Sequence, residues 1–229
     1  MSGPAKAALI GALVAGGLVV AIVIAVASGL VEVPVGGGSP TRILVVAAAP
    51  DEGGSDLAAL AFVADASTGQ VTLLDTLETA TVSGTSATTA AEALPFGGGE
   101  AVAAALTAQT GGDELEWIVL PATEWARLID AAGGVTVDVP KSLSAYTSGK
   151  LTLLDPGSQK LSGTQAVALV SAVKYAGTPD EQKAVLREMT AAISAITGSR
   201  GSSLRELVSQ SKANSSLDAE KIPDLSSVQ

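Results

Sequence analysis

Between Lys6 and Glu32 the chain runs for 25 residues, Ala7 to Val31, without one charged side chain. As a helix such a run reaches about 37 Å, enough to cross the hydrocarbon core of a bilayer with some tilt. The stretch predicts a retained transmembrane anchor over residues 7–31. Ala25-Val26-Ala27 offers the competing reading of a cleaved signal peptide. The run is nevertheless longer than the roughly 7–15 apolar residues of a signal core, which favours the anchor. Lys6 is the only charged side chain ahead of the run. Residues 1–6 are therefore expected to be cytoplasmic, and everything after residue 31 to lie outside the cell membrane. Residues 32–41 contain Pro-Val-Gly-Gly-Gly-Ser-Pro and read as a flexible linker.

Composition removes whole classes of chemistry. The chain has no histidine and no cysteine, so disulfides, thiol nucleophiles, Cys/His zinc sites and a Ser-His-Asp triad are excluded. Any catalysis would rest on carboxylates, hydroxyls, Lys, Arg, Tyr or a hard metal held by oxygen. The formal net charge is −10. No basic run offsets it, so nucleic acid is not an expected partner.

Residues 42–197 alternate between strand and helix patterns, and this predicts an α/β domain whose helices cover a mixed sheet. Ile43–Ala48 is a continuous apolar run, as in a strand buried on both faces. Leu60–Ala64, Val71–Leu74, Trp117–Leu120 and the alternating Val135–Val139 read as further strands. Helices are expected over Glu100–Thr110 and Thr123–Ala132, the second closed by Gly133-Gly134. Ser162-Gly163-Thr164-Gln165 and Thr178-Pro179-Asp180-Glu181 are capping boxes that open two more helices. Aromatic residues make up only 3% of the chain. Trp117 and Trp125 are accordingly expected as packing anchors, with a lipid-lining role as the sharper alternative. Residues 198–229 are Ser-rich and read as a solvated tail; Asn214-Ser215-Ser216 there formally matches a glycosylation acceptor.

Several stretches resemble, in order, the LytR-CpsA-Psr family. They are Gly54-Ser55-Asp56 (the end of an "RSDT" signature), Thr68–Leu74, Phe96-Gly97-Gly98-Gly99-Glu100, Leu128–Pro140 and Leu151–Val170. The resemblance runs over about residues 42–195, and the anchor precedes it as in the family. It implies an α/β/α sandwich with a mixed central sheet, preceded by one transmembrane helix. It also implies work in cell envelope biogenesis, where the family moves anionic glycopolymers from a polyprenyl pyrophosphate carrier to the cell wall with magnesium. The family holds its carrier in an arginine-rich site beside a hydrophobic groove. The logic is sound: guanidinium forks bind phosphate oxygens two at a time, and carboxylates hold the metal.

Placed on that pattern, this sequence lacks the expected charges. The family's early metal-binding aspartate falls on Ala49, and the arginine before "SDT" on Gly54. The "PRDT" arginine falls on Glu78, and the remaining four on Ser171, Val173, Thr178 and Glu181. Asp56 alone keeps the expected type and is the candidate metal and substrate residue, with a loop acid or helix cap as the plainer reading. Lys174, one position beyond the lost pair, is the candidate replacement for substrate binding, while Asp51 and Glu52 could stand in for the lost metal ligand. Gly97-Gly98-Gly99 could cradle an anion, against the plainer reading of a tight loop. From Arg42 to Ser194 there are 18 acidic and 8 basic side chains, a field that repels pyrophosphate.

Two functions remain open. One is a non-catalytic binding or scaffold module without a cofactor, whose partner is a cell wall glycopolymer, a polyprenyl lipid or an envelope enzyme. The alternative is an active, magnesium-assisted phosphotransferase with a relocated site.

Overall fold

The computed structural model describes residues 42–51, 53–65, 70–82, 86–107, 110, 112, 115–147, 149–199 and 214–216. The anchor and linker expected over 7–41 lie outside the described residues. Among those residues no helix is long and apolar enough to cross a membrane.

A five-stranded mixed sheet forms the centre, in the order β3-β2-β1-β4-β9. Its strands are β1 (Arg42–Pro50), β2 (Asp56–Asp65), β3 (Gln70–Leu73), β4 (Glu116–Leu120) and β9 (Asn214–Ser215). Strands β1 and β4 run parallel, and the other neighbours antiparallel. The apolar run in β1 is explained by two cores. Ile43, Val45, Ala47 and Ala49 point to one face, where they meet Trp125, Ile129, Leu169 and Met189. Leu44, Val46 and Ala48 point to the other, against Ala90, Val102 and Leu106. Period-two alternation thus places every residue of the strand's centre in an apolar layer.

The second face is covered by α1 (Ala90–Leu106), and the first by α2 (Ala122–Ala131), α3 (Gly163–Ser171) and α4 (Pro179–Ser199). Two small antiparallel ladders complete the domain, β5 (Val135–Val139) with β8 (Gly157–Leu161), and β6 (Leu143–Thr147) with β7 (Lys150–Leu154). The α/β/α layering expected from the sequence is present.

Helix α1 is two helical segments meeting at a kink at Gly98: the second opens where a helix from Glu100 is expected, and the sequence does not suggest the first, from Ala90. Thr89 caps it, accepting from the Glu92 amide (3.3 Å), and the Thr88 amide donates to the Glu92 carboxylate (2.9 Å). The Gly-rich stretch is a break inside this helix, with Gly98 at φ 62°. A Cβ on Gly99 would fall inside the Trp117 ring, so the glycine is there to let the indole seat. Gly98 takes the permissive backbone conformation that the plainer reading asked for, at a helix kink instead of a tight loop.

Helix α2 ends as expected. The Gly134 amide donates to the Ile129 carbonyl (2.8 Å) and the Gly133 amide to the Asp130 carbonyl (2.9 Å), a Schellman closure. Both later capping boxes are present. The Ser162 amide donates to Gln165 Oε1 (2.9 Å). The Thr178 amide donates to Glu181 Oε2 (2.7 Å), and the Glu181 amide returns to Thr178 Oγ1 (3.4 Å).

The tail is not wholly a solvated appendage. Residues 214–216 pair with β4: the Ser216 amide donates to the Trp117 carbonyl (3.1 Å), and the Trp117 amide to Ser216 Oγ (2.8 Å).

Two experiments test this account. Trp125 is fully buried, and its indole N–H donates to the Ala48 carbonyl (2.7 Å). Trp125→Phe removes that buried hydrogen bond, and urea unfolding should report a loss of about 1–3 kcal/mol. The Thr178 amide, and next its hydroxyl, hold the Glu181 carboxyl below its ordinary value of 4.5. A lowered carboxyl stabilises the fold fully above the unfolded value, and that contribution disappears as pH falls through the lowered one. Glu181→Gln keeps an oxygen for the Thr178 amide, as Gln165 does for Ser162, but removes the charge. Unfolding midpoints followed downward from neutral pH should fall less steeply in the variant than in the wild type.

Candidate functional site

The parallel strands β1 and β4 both end at one edge of the sheet, at Pro50 and Leu120. In open α/β sheets the crevice outside such carboxyl ends is where ligands bind. Three adjoining cavities open there, and all three touch Pro50.

The largest, about 520 Å³, lies between the β1–β2 turn and the start of α2, with Asp51, Asp56, Thr123 and Tyr146 on its walls. A second, about 220 Å³, is walled by Asp51, Tyr146, Leu151, Ser171, Lys174 and Tyr175. The third, about 260 Å³, runs between α2 and α3 past Thr123, Arg127, Asp130 and Thr164. Together they make a continuous trough across the end of the sheet.

Asp56 opens β2 directly across from Pro50 and is exposed. Lys174 sits on the 3₁₀ turn Val173–Tyr175, its ammonium 5.2 Å from the Tyr175 ring centroid. The structure thus brings both candidate residues to one end of the sheet. They line different cavities, joined through Pro50, Asp51 and Tyr146.

Asp51 is mainly a turn residue. Its carboxylate accepts from the Ser55 amide (2.8 Å), its amide donates to the Ser55 carbonyl (2.8 Å), and its carbonyl accepts from Gly54 (3.1 Å). Gly54 has φ 82°, which only glycine adopts without strain. An arginine there would need a different turn.

The other positions that the resemblance marks for charge are likewise occupied by structure. Ala49 is in the core beneath the trough. Ser171 donates to the Val167 carbonyl within its own helix (3.0 Å). Val173 packs partly buried against the core. Thr178 and Glu181 are bonded to each other. Glu78 is an exposed turn residue.

The donor set is a poor fit for magnesium. Among the described residues two carboxylates, Asp51 and Asp56, face the largest cavity, and one of them already holds a backbone amide; Glu52 lies outside the described residues. Among the described residues no group of three acidic side chains converges. A magnesium ion held by so few protein oxygens relies on substrate phosphates to complete its shell. The cations that would gather those phosphates are scarce. Arg127 is tied to Glu124 (3.1 Å), which leaves Lys174 as the cation that faces the second cavity.

Sequence reasoning missed Tyr146 and Leu151, which lie on β6 and β7, two strands absent from the expectation. The Ser148-Gly149 pair between apolar runs was the available hairpin signal.

Comparison with known proteins places these features in a family. No curated protein matches the sequence. Among solved structures, a Streptococcus agalactiae protein is similar at 16% identity and TM-score 0.58, over 88% of this chain and 74% of that one. TagV of Bacillus subtilis is similar at 16% and 0.51, over 80% and 76%. A LytR-Csp2A-Psr enzyme of Actinomyces oris is similar at 18% and 0.50, over 80% and 73%. These likenesses concern the fold. The model of the LytR-CpsA-Psr (LytR_cpsA_psr) family matches residues 75–222. That span starts after β3, so Asp51 and Asp56 fall outside it, and it runs past β9. With a match over more than half its length, the chain belongs to the LytR-CpsA-Psr family.

Proposed function

We propose that this chain is a membrane-anchored, extracytoplasmic protein of cell wall glycopolymer biogenesis that acts without catalysis, as a binding or scaffold module. Family membership supports the cell-envelope setting, and the uncharged run over 7–31 supports the anchor.

The observation that carries the non-catalytic part is the charge inventory of the trough. Its walls hold Asp51, Asp56 and Asp130 against Lys174 and an Arg127 already paired with Glu124. A pyrophosphate entering there meets more negative than positive charge, and a low-dielectric cleft magnifies that repulsion. Bidentate arginine binding has no counterpart at the aligned positions. The partner that suits such a trough is neutral or cationic: a glycan, an envelope enzyme, or the apolar part of a polyprenyl lipid.

Titration calorimetry on the full chain in detergent, with a short-chain polyprenyl pyrophosphate and with or without magnesium, tests the reading. The expected result is no saturable heat under either condition from a sample whose circular dichroism shows a folded domain. Tight, magnesium-dependent binding that falls at least tenfold in Asp56→Asn and in Lys174→Ala would instead establish a relocated transferase site.

A further inference from the structure

The outer face of the β6–β7 hairpin is apolar where a solvated hairpin is usually polar. Tyr146 stands directly across from Leu151, and Ser144 from Leu153, so all four side chains share one face. Tyr146 is 64% exposed, Leu151 56% and Leu153 68%. Tyr175, 51% exposed, adjoins them across the second cavity. The chain has only two tyrosines, and both are here, beside Lys174. Lys150 opens β7 across from Thr147, on the opposite face of the hairpin, so the cation beside the patch is Lys174.

The geometry points to this face as a docking surface for the lipid headgroup layer of the membrane in which the chain is anchored. The inference rests on the anchor reading of residues 7–31.

Three features choose a bilayer over other occupants. Tyrosine bodies with hydroxyl tips, and lysines that bury their stems while the ammonium stays wet, suit the boundary between acyl chains and headgroups. The patch is small. Four side chains offer on the order of a few hundred Å², against about 800 Å² per partner in a standard protein interface. That is meagre for a second copy in solution. A tether, however, keeps the bilayer at high effective concentration, so a weak contact suffices.

The tether also has the reach. The patch lies at the Pro50 end of β1, whereas the linker enters at Arg42. Nine strand residues span about 30 Å, and ten linker residues extend to at most about 33–36 Å. The hairpin can therefore touch the membrane whether the domain lies along it or stands on that end. Asp51, which also lines the cavity, keeps the trough beside the patch acidic and solvated.

The absence of cysteine makes the test direct. Single spin labels are introduced through Ser144→Cys on the hairpin face, Glu100→Cys on α1 across the sheet, and Ala21→Cys in the anchor. The full chain is reconstituted in vesicles of three parts phosphatidylethanolamine to one part phosphatidylglycerol. Collision rates with oxygen and with a water-soluble nickel chelate then report depth. The expected oxygen-to-nickel ratio at position 144 is several-fold above that at 100. It should return to the aqueous value when Tyr146, Leu151 and Leu153 are all changed to Ser, with the ratio at 21 unchanged. An aqueous signal at 144 beside a lipid signal at 21 overturns the docking and leaves the anchor standing. Aqueous signals at both overturn the anchor and the docking together. Spin–spin broadening at 144 that grows with protein density would assign the face to a second copy and overturn the lipid proposal.

Discussion

One hydrogen bond sets the geometry of the trough. Strand β4 pairs with β1 as far as Leu120 opposite Ala47, and the next residue is Pro121, which has no amide hydrogen. On the other side, the β1–β2 register shifts between Ala47 and Ala48, skipping Ala59. Ala48 therefore sits beyond the last β4 pairing and at a bulge, with a buried carbonyl. The Trp125 indole supplies the missing donor. A buried carbonyl cannot be left orphaned cheaply, so α2 must bring Trp125 down onto the end of β1. That seats the start of α2 beside Pro50 and opens the cavities on either side. Asp130, one turn further along α2, then accepts from the Gly163 amide (2.7 Å) and fixes the start of α3. Gly163 itself has no room for a side chain against the Ala126 backbone.

The fold at this end is thus maintained by apolar contacts, backbone hydrogen bonds and the Asp51 and Asp130 carboxylates that accept from backbone amides, independently of the arginines that the family's chemistry would ask for. Positions that would face a phosphate carry residues with local duties: a left-handed turn at Gly54, core packing at Ala49, a helix cap at Thr178 and Glu181. The residues that shape this end of the domain and the arginines that would meet a phosphate are thus separate sets. Elsewhere charge retains a tying role. Lys183 on α4 pairs with Asp75 just after β3 and, first among the causes, holds the aspartate below its ordinary value.

Much of this architecture was legible in the sequence because each signal was local. The run in β1, the alternation in β5, the two capping boxes and the Gly-Gly closure of α2 each depend on neighbours in the chain. The misses have a common physical cause as well. The segment of α1 before the Gly98 kink contains Pro95 and Gly97, which argue against a helix on propensity; its Thr89 cap and the burial of Ala90, Ala91 and Ala93 in the core hold it nonetheless. Strands β6 to β8 are short and bear polar or half-exposed residues, so their periodicity is weak. At the candidate site, Asp56 and Lys174 were legible only through the family resemblance. The cavities they line meet at Tyr146, on a hairpin that only the Ser148-Gly149 pair signals locally.

The pairing of β4 with residues 214–216 joins segments nearly a hundred positions apart. Synthesis proceeds from the amino terminus, so strands β1 to β4 are available long before their last neighbour. Until residue 216 arrives, β4 presents an open row of amides and carbonyls, with the hydrogen-bonding groups of Trp117 among them. An open edge is a template for pairing with another chain. Ser215 and Ser216 act as the molecule's closing stitch, and the interval before they arrive is when this sheet is most open to a wrong partner.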